Sequence, residues 1–289
     1  MLIIQLLAGC DTVQMAESWQ IDRLRVLAVA AAPAEPRPGD VVTFDALILS
    51  PARPLAGSVW FLCSSDASSD YGCEVDPSLM SGGDPEDMDL EALQAAGLIG
   101  FLPAMPPTWL VPTDFLDSLP EEDRLEGTFA MTYITALPEF EDGEEFDEDE
   151  LEIAYKRVPV SLATTPNHNP AVAGWKVDGF ELADGATVRL DAGQAYTVEC
   201  VLADDAVETY TFRNEQGDDE TRTEEPYLSW YLQEGSFDQT NTLYPTASVV
   251  YFAPDEPTLA SQTIWTVVRD RRGGMGWASL NLSFADASP

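Results

Sequence analysis

The fold is decided by the stretch Arg37-Pro-Gly-Asp-Val-Val-Thr-Phe-Asp-Ala-Leu-Ile-Leu49. A Pro-Gly-Asp turn opens onto a run of β-branched and apolar residues, which is typical of a strand. A second strand, Gly57-Ser-Val-Trp-Phe-Leu-Cys63, follows after another short connection that contains proline. Short strands at regular spacing, separated by proline and glycine turns, predict an all-β chain built as a β-sandwich.

The same pattern occurs again in the second half of the chain. Arg189-Leu-Asp-Ala-Gly-Gln-Ala-Tyr-Thr-Val-Glu-Cys-Val-Leu202 is similar to the first stretch, and Tyr227-Leu-Ser-Trp-Tyr-Leu232 is similar to Ser58-Val-Trp-Phe-Leu62. Two alternating runs around Arg271-Arg-Gly-Gly274 predict a hairpin. We interpret the two halves as diverged copies of one sandwich, residues 21–164 and 174–289, joined by a turn-forming linker at 165–173.

The first sandwich is predicted to carry a helical insertion at about residues 77–124. Asp84 can cap a helix, Pro85 fits its first turn, and Gly97 can end it. The rest of the insertion is rich in proline and apolar residues, and it contains Trp109. Because binding surfaces tend to lie on irregular insertions, we expect Trp109 to line such a surface.

These strands resemble those of bacterial immunoglobulin-like domains. In that family a tryptophan of the third strand fills the core, and Trp60 and Trp230 stand in that place. The disulfide of antibody domains is absent, because Cys200 has a suitable position but Trp265 stands where its partner is expected. The resemblance implies two immunoglobulin-like β-sandwiches in tandem.

The first ten residues are Met1-Leu-Ile-Ile-Gln-Leu-Leu-Ala-Gly-Cys10. They resemble the signal peptide and lipobox of a bacterial lipoprotein, so we interpret residues 1–10 as a signal with a lipidated Cys10 and residues 11–20 as a tether. Basic residues are missing before the apolar run, which leaves a short strand with a buried cysteine as the alternative.

Together, the lipobox and the sandwiches resemble lipoproteins of delta-proteobacterial type with tandem immunoglobulin-like domains. That resemblance implies a lipid-anchored protein of the cell envelope with no catalytic residues. The outer membrane is the expected location, with the chain facing either the periplasm or the cell surface.

The chain has 289 residues, of which 51 are acidic and 14 basic, and its net charge is −37. A surface this acidic repels nucleic-acid phosphates, which excludes nucleic-acid binding. Solubility, or adaptation to salty surroundings, explains the charge most simply, and weak binding of divalent cations is the alternative.

The positions of the cysteines suit an exported protein. Cys63 and Cys73 bracket a small polar segment, and a disulfide between them is expected outside the cytoplasm. Cys200 lies in an alternating strand, which predicts a buried thiol.

An acidic segment between two later strands offers oxygen ligands for calcium, namely Asp142, Glu144, Glu145, Asp147 and Asp149. Its spacing does not match an EF-hand, so a weak calcium site and a solvated loop both stay open.

Catalytic motifs are missing from the sequence. The single histidine, His168, lies in the linker, and there is no zinc, phosphate-loop or nucleophile-elbow motif. The sequence predicts a non-catalytic role without a cofactor other than calcium: binding an envelope or extracellular protein or a glycan, or acting as a structural spacer. The alternative is an exported hydrolase, for example on glycans, that uses paired carboxylates in a deep cleft.

Overall fold

A computed structural model describes residues 17–63, 90–140, 150–213 and 217–284. These residues form two β-sandwiches, one between Arg25 and Val160 and one between Val172 and Phe284. The predicted all-β class and the two tandem sandwiches are therefore confirmed.

The first sandwich has seven strands within the described residues. They are β1 (Arg25–Ala32), β2 (Val41–Leu49), β3 (Leu55–Leu62), β4 (Leu98–Leu102), β5 (Thr108–Leu110), β6 (Thr128–Pro138) and β7 (Glu152–Val160). One sheet has the order β1-β2-β5 and the other has the order β4-β3-β6-β7.

The second sandwich is larger. Its strands in the described residues are β8 (Val172–Val177), β9 (Phe180–Leu182), β10 (Thr187–Leu190), β11 (Ala195–Leu202), β12 (Thr209–Arg213), β13 (Asp219–Thr223), β14 (Tyr227–Tyr231), β15 (Ser236–Phe237), β16 (Asn241–Leu243), β17 (Ser248–Phe252), β18 (Ser261–Arg269) and β19 (Met275–Phe284). The two sheets have the orders β10-β19-β18-β14-β16 and β15-β17-β11-β8-β9. The hairpin β12–β13 extends the connection between β11 and β14.

Both sandwiches have the immunoglobulin-like arrangement of strands. β3, β6 and β7 in the first, and β14, β18 and β19 in the second, occupy the places of strands C, F and G. Strands A, B and E correspond to β1, β2 and β5 and to β8, β11 and β17. Trp60 on β3 and Trp230 on β14 are fully buried, as the third-strand tryptophan of this arrangement is. Trp230 packs edge-on against Trp175, with 6.1 Å between ring centroids.

The alternation of the strands fills the two cores. In β19, Ala278, Leu280, Leu282 and Phe284 all belong to the core of the second sandwich, at every second position. Successive side chains of a strand point to opposite faces, so the residues between them must face away from this core. In both sandwiches the outward positions of the sheet with strands C, F and G also carry large apolar side chains, such as Tyr155 and Trp277.

Part of the predicted helical insertion consists of strands. Within the described residues helix α1 spans Leu90–Ala95, and the predicted helix start at Asp84 and Pro85 lies outside them, in residues 64–89. Gly97 follows the helix with a φ of +103°, which glycine adopts without the steric penalty of a side chain. Much of the remaining segment belongs to the sandwich itself, since β4 pairs with β3 and β5 pairs with β2. A short apolar run after a helix end favours an edge strand, because pairing with the sheet satisfies its backbone groups. A one-turn 3-10 helix, Glu121–Asp123, precedes β6.

The two sandwiches pack side by side through an apolar cluster that we call the seam. It joins the outer face of β1 and β2 to the outer face of β14, β18 and β19. Its members are Ile21, Leu27, Ala28, Leu47, Leu49, Tyr231, Trp265, Val267, Met275 and Trp277. A register shift in β1 between Val26 and Ala28 marks a β-bulge. The bulge places two consecutive residues, Leu27 and Ala28, in the seam while Val29 returns to the core.

Candidate functional site

Several of the predicted site residues lie outside the described part of the chain. These are Cys10, Cys73 and the five acidic residues Asp142, Glu144, Glu145, Asp147 and Asp149. Cys63 is described and follows β3 directly. The lipid anchor, the Cys63–Cys73 disulfide and the calcium site therefore stay predictions. Among the described residues, no group of three or more histidine, cysteine, aspartate or glutamate side chains could hold a metal ion.

The position of Trp109 corrects the expectation that it lines a binding surface. Trp109 lies on β5 and is only 6% exposed. Its ring packs edge-on against Phe115 at 5.6 Å within the core of the first sandwich. The segment that seemed irregular in sequence is a sandwich strand, so Trp109 is a core residue and presents no ring to a ligand.

Cys200 and Trp265 of the second sandwich lie on opposite faces of their sheets. Cys200 is a free, buried thiol on β11, as expected, and its burial raises the pKa of that thiol to about 12. Trp265 does not stand opposite it, because Trp265 lies in the seam on the outer face of β18. The inward neighbour Ile264 packs in the core with Cys200. The seam, and not a lost disulfide, therefore explains the tryptophan at this position.

Polar contacts close the seam at the linker and form what we call the junction. Arg272 lies in the turn between β18 and β19 and faces three carboxylates. Its guanidinium lies 2.9 Å from Glu224, 3.4 Å from Glu208 and 3.5 Å from Glu35 of the first sandwich. The guanidinium carbon also lies 4.1 Å from the ring centroid of Tyr210. One arginine thus joins the β12–β13 hairpin, the β18–β19 turn and the first sandwich.

Asp270 organises the same turn from within. One of its carboxylate oxygens accepts hydrogen bonds from the amides of Arg272, Gly273 and Gly274 at 2.7, 3.0 and 2.9 Å. The other accepts a hydrogen bond from the side-chain amide of the linker residue Asn167 at 2.7 Å. Burial raises the pKa of Asp270, while these four donors favour the charged form. A side chain on Gly274 would collide with the Asp270 carboxylate and with the carbonyl of residue 168, so the close approach requires glycine.

Lys156 reaches this turn from the first sandwich. It lies on β7, is buried, and its ammonium group donates to the carbonyl of Gly273. Burial lowers the pKa of Lys156 to about 8, while the charge of Asp270 opposes the shift. A buried lysine and a buried aspartate therefore contact the same glycine-rich turn at the junction.

The linker is fixed to both sandwiches. The side-chain amide of Asn169 donates to the carbonyl of Ala31 at 2.8 Å, and its oxygen accepts from the amide of Met275 at 3.0 Å. His168, the histidine of the linker, places Nδ1 2.8 Å from Glu208 at the exposed edge of the junction. The Asn169 contacts hold the two sandwiches together, and the His168 contact fixes the linker to the second sandwich.

The described surface includes one pocket with two carboxylates. It has a volume of about 350 Å³ and lies between the β2–β3 connection, the end of β6 and the start of β7. Glu150 and Glu152 line it together with Arg53 and Arg23. Glu150 lies 3.3 Å from Arg53, and Glu152 lies 3.5 Å from Arg25. Each carboxylate is thus paired with an arginine, and the two stand two residues apart on one side of the pocket.

No protein-family model matches the chain, and no curated protein matches it. Among solved structures the chain is similar to the N-terminal Ig1-2 module of the Drosophila receptor protein tyrosine phosphatase DLAR, with 11% identity, 91% of this chain and 100% of that chain covered, and a TM-score of 0.27. The chain is also similar to the two tandem V-type regions of VCBP3, a v-region-containing chitin binding protein. The identity is 12%, 90% of this chain and 100% of that chain are covered, and the TM-score is 0.31. For the D0-D1 domain of intimin the identity is 9%, 91% of this chain and 97% of that chain are covered, and the TM-score is 0.20. These TM-scores are too low to assign a class of protein. The strand order and the buried core tryptophans assign it instead: this is a protein of tandem immunoglobulin-like β-sandwiches.

Proposed function

We propose that this protein is a non-catalytic, lipid-anchored component of the bacterial cell envelope that presents a binding surface on a fixed pair of immunoglobulin-like sandwiches. The observation that carries the proposal is the combined seam and junction. Linked domains normally move relative to each other unless their interface is extensive and apolar. Here ten apolar side chains form the seam, and Arg272 closes its end.

The anchor part of the proposal rests on the lipobox residues before Cys10. The described part of the chain has no helix that is long and apolar enough to span a membrane. In a lipoprotein the attachment comes instead from the lipidated cysteine, and the tether ends where Gln20 and Ile21 meet Leu232 of the second sandwich. The outer membrane is the proposed location.

The alternative, a carboxylate-dependent hydrolase, has one observation in its favour, the pocket with Glu150 and Glu152. Glycosidases need two carboxyl groups that face each other across a sugar-sized cleft. In this pocket each carboxylate faces an arginine, which is the arrangement of structural ion pairs. The non-catalytic role is therefore the better supported one.

Membrane fractionation with protease treatment of intact cells tests the proposal. The native chain, expressed from its own gene, is compared with Cys10→Ala. We expect the native protein in the membrane fraction and the variant in the soluble fraction. A native chain found soluble in the cytoplasm would refute the anchor and the envelope role, and would leave the tandem sandwiches as the only retained conclusion.

A further inference from the structure

The first sandwich has an outer sheet face that the second sandwich does not cover. A row of three rings crosses β3, β6 and β7 on this face. Phe61 stacks on Tyr133 with 5.4 Å between ring centroids, and Tyr133 lies 6.0 Å from Tyr155. These residues are directly opposite one another in the strand pairing, so the row is built into the register of the sheet.

Among the described residues, contacts cover only one side of this row. Leu93 of α1 and Leu98 of β4 pack with Phe61 and Tyr133, which are both buried. Towards the edge strand β7 the face is open, and Tyr155 is 53% exposed. We define the open face as the outward side chains Phe129, Met131, Ile153, Tyr155 and Arg157. Ile153 is 52% exposed and Phe129 59%, so large apolar side chains cluster here at a cost to solubility unless something binds them.

The second sandwich shows what the equivalent positions do when they are occupied. With Trp60 aligned on Trp230, the strand pairing makes Tyr133 equivalent to Trp265 and Ile153 equivalent to Trp277. Trp265 and Trp277 both lie in the seam, against the outer face of β1 and β2. The same side of the same fold is thus a contact surface in one half of this chain.

Charge narrows the choice of partner for the open face. Arg157 is the one charged residue at the outward positions of β6 and β7. Acidic residues stand at both ends of β6, Glu126 before it and Glu139 after it. The whole chain carries a net charge of −37. An apolar surface between acidic ends complements apolar side chains between basic ones.

We propose that the open face binds a protein segment whose apolar side chains are flanked by lysine or arginine. This inference names the partner class for the binding role proposed above and rests on that role. A second copy of the chain fits less well, because two molecules of charge −37 repel each other. A glycan fits less well because the exposed residues include Ile153 and Phe129, which offer no hydrogen bonds to sugar hydroxyls.

The test uses the full chain with Cys10→Ala, so that it is soluble, and two synthetic peptides. One alternates lysine and leucine over eight residues, and the other alternates glutamate and leucine. Binding is measured by calorimetry at 150 mM salt, where attraction between charges more than about 8 Å apart is largely screened, so that a peptide gains from the acidic residues only when it lies against the face. We expect the lysine peptide to bind and the glutamate peptide not to bind.

Variants locate the binding. Tyr155→Ser introduces the residue that stands at the equivalent position of the second sandwich, Ser279. We expect it to weaken binding of the lysine peptide at least tenfold, and Ile153→Ser to do the same. Phe180→Ser is the matched control, because Phe180 on β9 is an exposed aromatic residue, 76% accessible, on the other sandwich. We expect Phe180→Ser to bind as the parent does.

Three results would overturn the proposal. They are equal affinity of Tyr155→Ser and its parent, a chito-oligosaccharide that competes for the open face, and concentration-dependent dimers in sedimentation that Tyr155→Ser abolishes. The second and third would assign the face to a glycan or to a second copy. None of them bears on the Cys10→Ala fractionation, so failure here is distinguishable from failure of the envelope role.

Discussion

In the second sandwich, the outer face of β14, β18 and β19 lies against the first sandwich, with Val267 fully buried. In the first sandwich, the equivalent face of β3, β6 and β7 is covered on one side only, and Tyr155 reaches solvent. The cores behind both faces are alike, each centred on a fully buried tryptophan. The difference teaches that the inner faces of the two copies are constrained by the fold, whereas the outer faces are free to take different contacts.

The largest expected effect comes from placing a charge on the covered face. In Val267→Asp a carboxylate enters the apolar seam without a partner, and we expect a loss of about 4 kcal/mol in the free energy of unfolding. Ile153→Asp makes a similar change on the open face, where we expect a change within about 0.5 kcal/mol. Urea denaturation of both variants measures the contrast. Similar losses in the two variants would contradict the distinction between covered and open faces.

The inner faces are also the part that the sequence predicts well. Alternating strands, turn residues and the two core tryptophans are local signals, and they predict two immunoglobulin-like sandwiches that the structure confirms. The buried state of Cys200 follows from the same alternation. Alternation states which residues share a face, and in a two-layer fold one face must be the core.

The outer contacts could not be predicted in the same way. Trp109 follows two prolines and Trp265 stands in an alternating run, yet Trp109 fills a core and Trp265 fills the seam. Which face of a strand meets another domain depends on how the linker turns, and that is a long-range property. The junction could have been suspected from one signal, the Asp-Arg-Arg-Gly-Gly turn at 270–274, because glycines there permit close approach of another segment.

The junction itself should be sensitive to the loss of Asp270. Asp270→Ala leaves three turn amides and the Asn167 side-chain amide without their acceptor, and we expect a loss of about 3 kcal/mol. Asp270→Asn keeps one acceptor oxygen for the three amides, so it should lose about half as much. Hydrogen exchange at Gly273 and Gly274 reports the turn directly. Unchanged exchange in Asp270→Ala would show that the turn does not depend on this carboxylate.

The cysteines offer a second contrast between the sandwiches. Cys200 is a buried free thiol in the second, whereas Cys63 is predicted to pair with Cys73 in the first. Closing a loop of this length stabilises by about 2.7 kcal/mol in the chain-entropy model. Mass spectrometry of non-reduced peptides should find the Cys63–Cys73 link and leave Cys200 to alkylation after unfolding. Alkylation of Cys63 and Cys73 in the non-reduced exported protein would remove the predicted disulfide.

Lys156 predicts a pH dependence that only the junction should show. Its pKa is lowered by burial to about 8 from an ordinary 10.5, so between these values the unfolded chain holds the proton more tightly than the folded one. Stability due to this group therefore rises with pH, by about 2 kcal/mol between pH 8 and pH 10. To measure this rise, the free energy of unfolding of Lys156→Met is subtracted from that of the native chain at each pH. Lys176→Met is the control, because Lys176 lies in a surface pair with Glu199 away from the junction.

The smallest expected effect is stabilisation by calcium, which should occur at the connection between strands F and G of the first sandwich and not at that of the second. In the second sandwich Asp270 already accepts four hydrogen bonds, so no cation is needed there. In the first, the connection contains the five predicted calcium ligands Asp142, Glu144, Glu145, Asp147 and Asp149. At 10 mM calcium, a site with a Kd of about 1 mM stabilises by about 1.4 kcal/mol, which a thermal melt detects.

Amides at the five positions are the matched variant, because they keep the size of each side chain and remove its charge. The calcium shift should disappear in that variant, and 10 mM magnesium should not reproduce it, since magnesium gives up its water ligands reluctantly. If calcium shifts the native chain and the amide variant equally, the ions act on the acidic surface as a whole. The F–G connection of the first sandwich would then be a solvated loop.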